Sequence, residues 1–268
     1  MKRIIFNLIV ILFFSIHLKG QDASFTLNGL FSRMAKTADD NTRIGINDSI
    51  TIIIDQYAAS DSVFDHRFDS LRYLGQMTSS DKMLKIITWN LVLSENTNEY
   101  FCYIILKGEK KEKNAIYRLS GTNSDGPVRS DAIYSSENWY GALYYDLSPL
   151  KIKNETYYIL LGIDFGKNFI NRKMIDVLSF TPDGKIIFGR NWFDNGKQIL
   201  PRVVFEYDAT GVMSLKFHSP RSIVFNHLVP LSIRDDLQSF GADFTLDSYT
   251  FRNGIWKFEK NVDFRNKE

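Results

Sequence analysis

Tyr157-Tyr158-Ile159-Leu160-Leu161 decides the fold. All five side chains are apolar or aromatic, so a strand over these residues must be covered on both faces. Ile223-Val224-Phe225 has the same character. A sheet with one wet face would alternate apolar with polar residues instead. Strands of this kind belong to antiparallel sandwich or barrel-like sheets.

Outward from that segment, the chain beyond about residue 82 reads as a series of strands rich in Ile, Val, Tyr, Phe and Trp. They are Leu84–Leu93, Tyr100–Lys107, Ala115–Leu119, Ala142–Leu147, Thr156–Ile163, Met174–Phe180, Lys185–Phe188, Arg202–Tyr207, Val212–Phe217 and Ser222–Leu228. Tyr249–Phe251 and Ile255–Phe258 close the series. Asp183-Gly184, Asn195-Gly196 and Asn253-Gly254 are turn dipeptides that reach positive φ at low steric cost. Links this short make neighbouring strands antiparallel. The polar stretches 107–113 and 121–131 read as loops, and no repeat has a constant period.

Before residue 82 the apolar spacing is helical. Leu27, Leu30, Phe31, Met34, Ala35 and Ala38 form one stripe. Ile50, Ile53, Ile54, Tyr57 and Ala58 form a second, with Asn47-Asp48-Ser49 as expected caps. Phe64, Phe68, Leu71 and Leu74 suggest a third, opened by Ser62 and Asp65 at capping-box spacing and ended by Gly75. The expected architecture is thus mainly β, as one domain over 21–268 with a helical cap over about 21–80.

The first twenty residues have a separate meaning. Met1-Lys2-Arg3 is basic, Ile4 to Ile16 is almost wholly apolar, and Lys19-Gly20-Gln21 ends the run. That order is the pattern of a secretory signal peptide, with cleavage expected after Gly20. The run is shorter than the roughly 20 residues of a membrane span. Export to the periplasm or medium follows as an expectation, with no transmembrane segment in the mature chain. Lys2, Arg3 and Lys19 leave with the leader, and with them the formal charge of +2. The remainder is near neutral and carries no nucleic-acid footprint. Cys102 is the one cysteine, so no disulfide staples the domain, and its strand-like setting predicts a buried thiol.

Several segments together carry a resemblance. They are Leu84-Lys85-Ile86-Ile87-Thr88-Trp89-Asn90, Tyr140-Gly141-Ala142-Leu143-Tyr144-Tyr145, Tyr157-Tyr158-Ile159-Leu160-Leu161-Gly162, Ile175-Asp176-Val177-Leu178-Ser179-Phe180, Arg202-Val203-Val204-Phe205-Glu206-Tyr207 and Ile223-Val224-Phe225-Asn226-His227-Leu228. In this order they resemble a family of exported proteins from Bacteroidetes-type bacteria. The resemblance implies a Gram-negative envelope or secreted setting and no particular activity. Relatives often carry a Trp-Asp-Gly-Asn loop where this chain has 161–168, and Ile163 and Phe165 depart from it.

Candidate chemistry is sparse. Asp164, Asn168, Asn171 and Asp176 offer oxygen ligands, but Lys167, Arg172 and Lys173 stand among them and no calcium-loop motif is present. No metal and no cofactor is expected. Arg202 and Glu206 are expected to form a structural ion pair on one strand face. Of the four histidines, His17 leaves with the leader, His66 lies off its helical stripe, and His218 and His227 sit on neighbouring strands. His227 is the best general-base candidate, with Glu206 and Asp164 as companions. Trp139, Tyr140, Tyr144, Trp192 and Arg202 are the candidate binding residues, since exposed aromatic rings bind sugars and peptides. The leading expectation is a non-catalytic binding protein whose partner is an envelope protein or a glycan. The alternative is a hydrolase acting on glycans or envelope polymers.

Overall fold

The computed structural model describes residues 20–263 apart from 70, 95–96, 109–111, 123–125, 167–168 and 235–236. Residues 1–19, where the leader is expected and which include His17, and the loop residues Lys167 and Asn168 lie outside the described residues. Two helices come first, α1 (Gly20–Lys36) and α2 (Asp40–Ala58). Leu27, Phe31 and Met34 of α1 and Ile46, Ile50 and Ile54 of α2 are buried, as the helical spacing requires. The cap of α2 differs from the expectation. Asn47, Asp48 and Ser49 lie inside the helix, and Asp39 caps it by accepting from the Thr42 amide at 2.8 Å.

The third helix expected over 62–75 is replaced by turns and the short strand β1 (Gly75–Thr78). Side chains from elsewhere hold this backbone open. The Gln76 amide bonds both the N–H and the C=O of Phe68 at 3.0 Å. The Lys85 ammonium draws the carbonyls of Val63 and His66 to itself at 2.6 and 2.5 Å. Those groups are therefore satisfied without a helix.

The strands form three sheets. In the first, β1, β2 (Leu84–Val92), β3 (Asn98–Leu106) and β4 (Ala115–Thr122) follow in chain order. The second has the order β5 (Tyr134–Ser135), β9 (Ile186–Phe188), β8 (Ile170–Phe180), β7 (Glu155–Phe165) and β6 (Leu143–Ile152). Strand β12 (Val203–Asp208) also pairs with β8. The third runs β11 (Ile199–Leu200), β10 (Phe193–Asp194), β16 (Ile255–Glu259), β15 (Leu237–Arg252), β14 (Ser222–Arg234) and β13 (Leu215–Ser219). All described pairings are antiparallel except that of β10 with β16, where Phe193 lies beside Trp256. Gly184, Gly196 and Gly254 adopt positive φ in the turns that the sequence marks.

Three cores separate four layers. The helices bury their stripes against Ile87, Trp89, Leu91, Tyr103 and Ile105 on one face of the first sheet. The opposite face, with Leu84, Ile86, Cys102 and Ile104, packs on Tyr158, Leu160, Met174 and Leu178 of the second sheet. The other face of the second sheet, with Tyr157, Ile159, Leu161, Ile175 and Val177, packs on Phe193, Leu215, Ile223, Phe225, Tyr249 and Trp256 of the third. The mainly β fold is therefore a stack of sheets with the helices on one side. Tyr157–Leu161 is apolar throughout because its sheet lies between two others.

The hairpin of β14 and β15 outruns its neighbours. Strand β16 pairs with β15 only from Ser248 to Arg252, and β13 pairs with β14 only from Ser222 to Phe225. Beyond them a two-stranded ribbon continues, with Leu228 beside Ala242 and Pro230 beside Phe240. Its register shifts between Asn226 and Leu228 and again between Pro230 and Ile233.

Lys85 is 1% exposed inside the first core. Its three donors go to the Val63 and His66 carbonyls and to the Tyr57 hydroxyl at 2.7 Å. Burial pulls its pKa from 10.5 down to about 8. Above that value the folded chain releases a proton that the unfolded chain still holds, so rising pH favours the folded state. Relative to Lys85→Met, the native protein should gain stability between about pH 8 and 10.5, by at most about 3 kcal/mol. Urea melts of both proteins at pH 7 and pH 10 measure the gain, and an unchanged difference would refute it.

Candidate functional site

The second sheet carries a buried ion pair at its centre. Arg202, just ahead of β12, and Asp176 of β8 are both fully buried. The Arg202 Nε donates to Asp176 Oδ2 at 3.1 Å. Its Nη1 donates to the carbonyls of Arg129 and Ala132 at 2.9 and 2.6 Å. Its Nη2 donates to the Phe188 carbonyl at 3.1 Å and to Asp176 Oδ1 at 3.4 Å. The guanidinium also lies 4.6 Å from the Tyr134 ring centre and 5.2 Å from that of Tyr140. Burial by itself would lower its pKa, yet the Asp176 charge raises it above the ordinary value.

Aromatic residues extend this network. The Tyr140 hydroxyl donates to Asp176 Oδ2 at 2.7 Å and meets the Tyr144 hydroxyl at 2.8 Å. The Trp139 Nε1 donates to the Tyr144 hydroxyl at 3.1 Å. Burial, and then the Asp176 charge, pushes both tyrosine hydroxyls far above their ordinary pKa. Four of the five candidate binding residues thus belong to one connected unit. It fixes the segment 129–140, which has little regular structure of its own.

That segment, with Pro127 just before it, forms one wall of a cleft of about 650 Å³ through Tyr134, Glu137, Asn138, Trp139 and Tyr140. The opposite wall is the end of the first sheet, with Glu99 and Phe101 of β3 and Ser120 and Thr122 of β4. The walls approach closely where Gly121 meets the 139–141 backbone. A Cβ at Gly121 would lie 2.6 Å from the Trp139 carbonyl. A cleft of this size is large enough to receive a small ligand.

The aromatic residues are not exposed platforms. Trp139, Tyr144 and Trp192 are 4%, 1% and 8% exposed. Trp139 and Tyr144 fill the core between the first two sheets and support the cleft from below. Trp192 belongs to the other core, under the guanidinium of Arg190 at 4.5 Å.

The expected pair of Arg202 with Glu206 is not formed. Residues four apart on a strand are separated by about 13 Å along it, too far for most direct contacts. Partners come from the neighbouring strand instead. Glu206 bonds Arg172 of β8 at 2.6 Å, and Arg172 also reaches Asp164 of β7 at 3.2 Å. Asp164 accepts from the Tyr100 hydroxyl at 2.9 Å. Burial raises its carboxyl pKa, against the Tyr100 and Arg172 bonds that lower it. Asp164 and Asp176 are each occupied by an arginine, and among the described residues no cluster of three metal-ligating side chains forms.

His227 lies on the third sheet, where its Nδ1 meets Asp247 Oδ2 at 2.7 Å. His218 stands apart from it, in the bulge between Phe217 and Ser219. Glu206, Asp164 and His227 do not share a site. Arg172 joins the first two, and none of the three lines the cleft. Cys102 is fully buried, and burial raises its thiol pKa.

Sequence reasoning missed Asp176 as the partner of Arg202, and it missed Tyr134, Glu99 and Glu137 on the cleft. A signal existed for Asp176, which sits inside the apolar run Ile175–Leu178 where a charge requires a partner. For Glu99 and Glu137 no such signal exists, since each stands in an ordinary polar stretch.

The chain matches no protein-family model, and no curated protein or solved structure is similar to it at a meaningful level. The site is therefore interpreted from its own geometry.

The ion pair has a measurable consequence. Arg202→Met or Asp176→Asn alone leaves a buried group without its partner, which should cost about 3–5 kcal/mol. The double variant should cost less than the sum of the two. Glu206→Gln, at a half-exposed carboxylate, should cost about 1 kcal/mol or less. Denaturant melts of the four proteins decide the matter. Additive single effects would dismiss the coupling.

Proposed function

We propose that this chain is an exported, non-catalytic binding protein, periplasmic or secreted, whose cleft receives part of a glycan or of an envelope protein. The observation that carries the proposal is a pre-formed cleft of about 650 Å³ above a fully bonded floor. A site held rigid before binding loses less entropy when the ligand arrives. Export is supported by the leader-like order of Met1 to Gln21. No helix among the described residues is long and apolar enough to cross a membrane. The resemblance to exported proteins of Bacteroidetes-type bacteria points to the same setting.

The hydrolase alternative built on Glu206, Asp164 and His227 lacks the convergence that catalysis needs. The cleft itself contains two glutamates, Glu99 and Glu137. Glu137 is exposed to solvent, and Glu99 is only partly covered.

Ser120→Trp tests the cleft, because Ser120 is exposed on the wall and a bulky ring there fills the space. Isothermal titration with soluble muropeptides should show binding by the native protein and a loss of at least about tenfold in the variant. Equal binding by both would place the ligand elsewhere.

Export has its own test. Produced in a Gram-negative host, the protein should be recovered from the periplasm or medium with an N-terminus at or near Gln21. Recovery from the cytoplasm with Met1 or Lys2 in place would overturn that part of the proposal.

A further inference from the structure

We infer that the cleft selects a positively charged organic ligand, an amine or guanidinium group borne on a small molecule or a protruding side chain. This rests on the proposal that the cleft is a binding site. Among the described residues the lining includes two carboxylates, Glu99 and Glu137, and no lysine, arginine or histidine. Neither carboxylate has a hydrogen bond or ion pair among the described residues. Two cations at the adjoining segment are already matched. Arg202 is held by Asp176, and Arg129 by Asp131 at 3.0 Å. Each of those pairs is neutral as a unit, so the cleft keeps the charge of its two glutamates. A concave site lined by one sign of charge concentrates that field and attracts the opposite charge.

The remaining lining narrows the ligand class. Phe101 and Tyr134, both half-buried, provide aromatic surface, which favours flat or weakly hydrated cations. The network already pairs a guanidinium with such rings, since Arg202 stacks on Tyr134 and Tyr140 from below. A bare metal ion fits poorly, because hard cations take six or more oxygen ligands and, among the described residues, only two carboxylates line the cleft. A cleft of about 650 Å³ accommodates one or two residues of a peptide or a small polyamine.

The test uses three probes: acetyl-diarginine amide, its uncharged isostere acetyl-dicitrulline amide, and chitotriose. Titration at low salt should show the diarginine probe binding at least about tenfold more tightly than the other two. Raising the salt to about 0.5 M should remove most of that preference, because screening shortens the reach of exposed charges. Glu99→Gln combined with Glu137→Gln should also remove it. Neither side chain has a partner among the described residues, so the double variant should melt like the native protein. Equal affinity for diarginine and dicitrulline, or full diarginine binding by the double variant, would overturn the inference. If chitotriose or muropeptides bind in a manner blocked by Ser120→Trp while diarginine does not, the cleft stands and only its charge preference fails. If no probe binds in a manner blocked by Ser120→Trp, both proposals fail together.

Discussion

The contact between Arg202 and Asp176 ties the irregular 129–132 segment to the paired strands β8 and β9. One guanidinium reaches a carboxylate on β8, a carbonyl at the end of β9, and two carbonyls in the 129–132 segment. All its donors point at acceptors, so the charge is buried without being orphaned. A hydrophobic pair of the same volume would fill the space equally well. It would not fix the irregular segment that carries Tyr134, Glu137 and Trp139. The ion pair therefore relates to the cleft more than to stability, and replacing both partners should blur the cleft before it unfolds the sheet.

The layered packing explains where polar groups are tolerated. A sheet with covered faces admits a charge only where neighbouring strands supply a complete set of partners. Lys85 and Arg202 meet that condition in different ways, the first with carbonyls and a hydroxyl, the second with a carboxylate and carbonyls. Arg172 does the same nearer the edge, bridging Asp164 and Glu206 across three adjacent strands. Each basic group thus links strands or segments distant in sequence.

Much of the architecture was legible from pattern alone. Every strand expected from the apolar runs is present, and the Gly-containing turns fall where they were marked. Period and turn chemistry are local properties, so they survive without knowledge of the fold. The third helix failed for a non-local reason, because Lys85 and Gln76 capture backbone groups that a helix would otherwise use. The same limit applied to the candidate site. Trp139, Tyr140, Tyr144 and Arg202 could be nominated by residue type, and they do belong together. Asp176, which joins them, comes from a different strand, and strand order is not written in spacing. Glu206, Asp164 and His227 were grouped by type too, and there the topology keeps His227 on another sheet.

The ribbon formed by β14 and β15 beyond their neighbours has a consequence for the behaviour of the protein in concentrated solution. A two-stranded ribbon offers backbone donors and acceptors along its borders, and any extended chain can add to them. Phe244 and Leu231 stand exposed on it, which makes such addition more favourable. Pro230 removes one donor, and the two register shifts bend the ribbon away from the flat shape that templated growth requires. Without disulfides to restrain a partly opened chain, these local irregularities oppose edge-to-edge pairing of one molecule with another. Smoothing them, by exchanging Pro230 for a β-branched residue, would leave the folded monomer nearly unchanged and shorten its lifetime in concentrated solution.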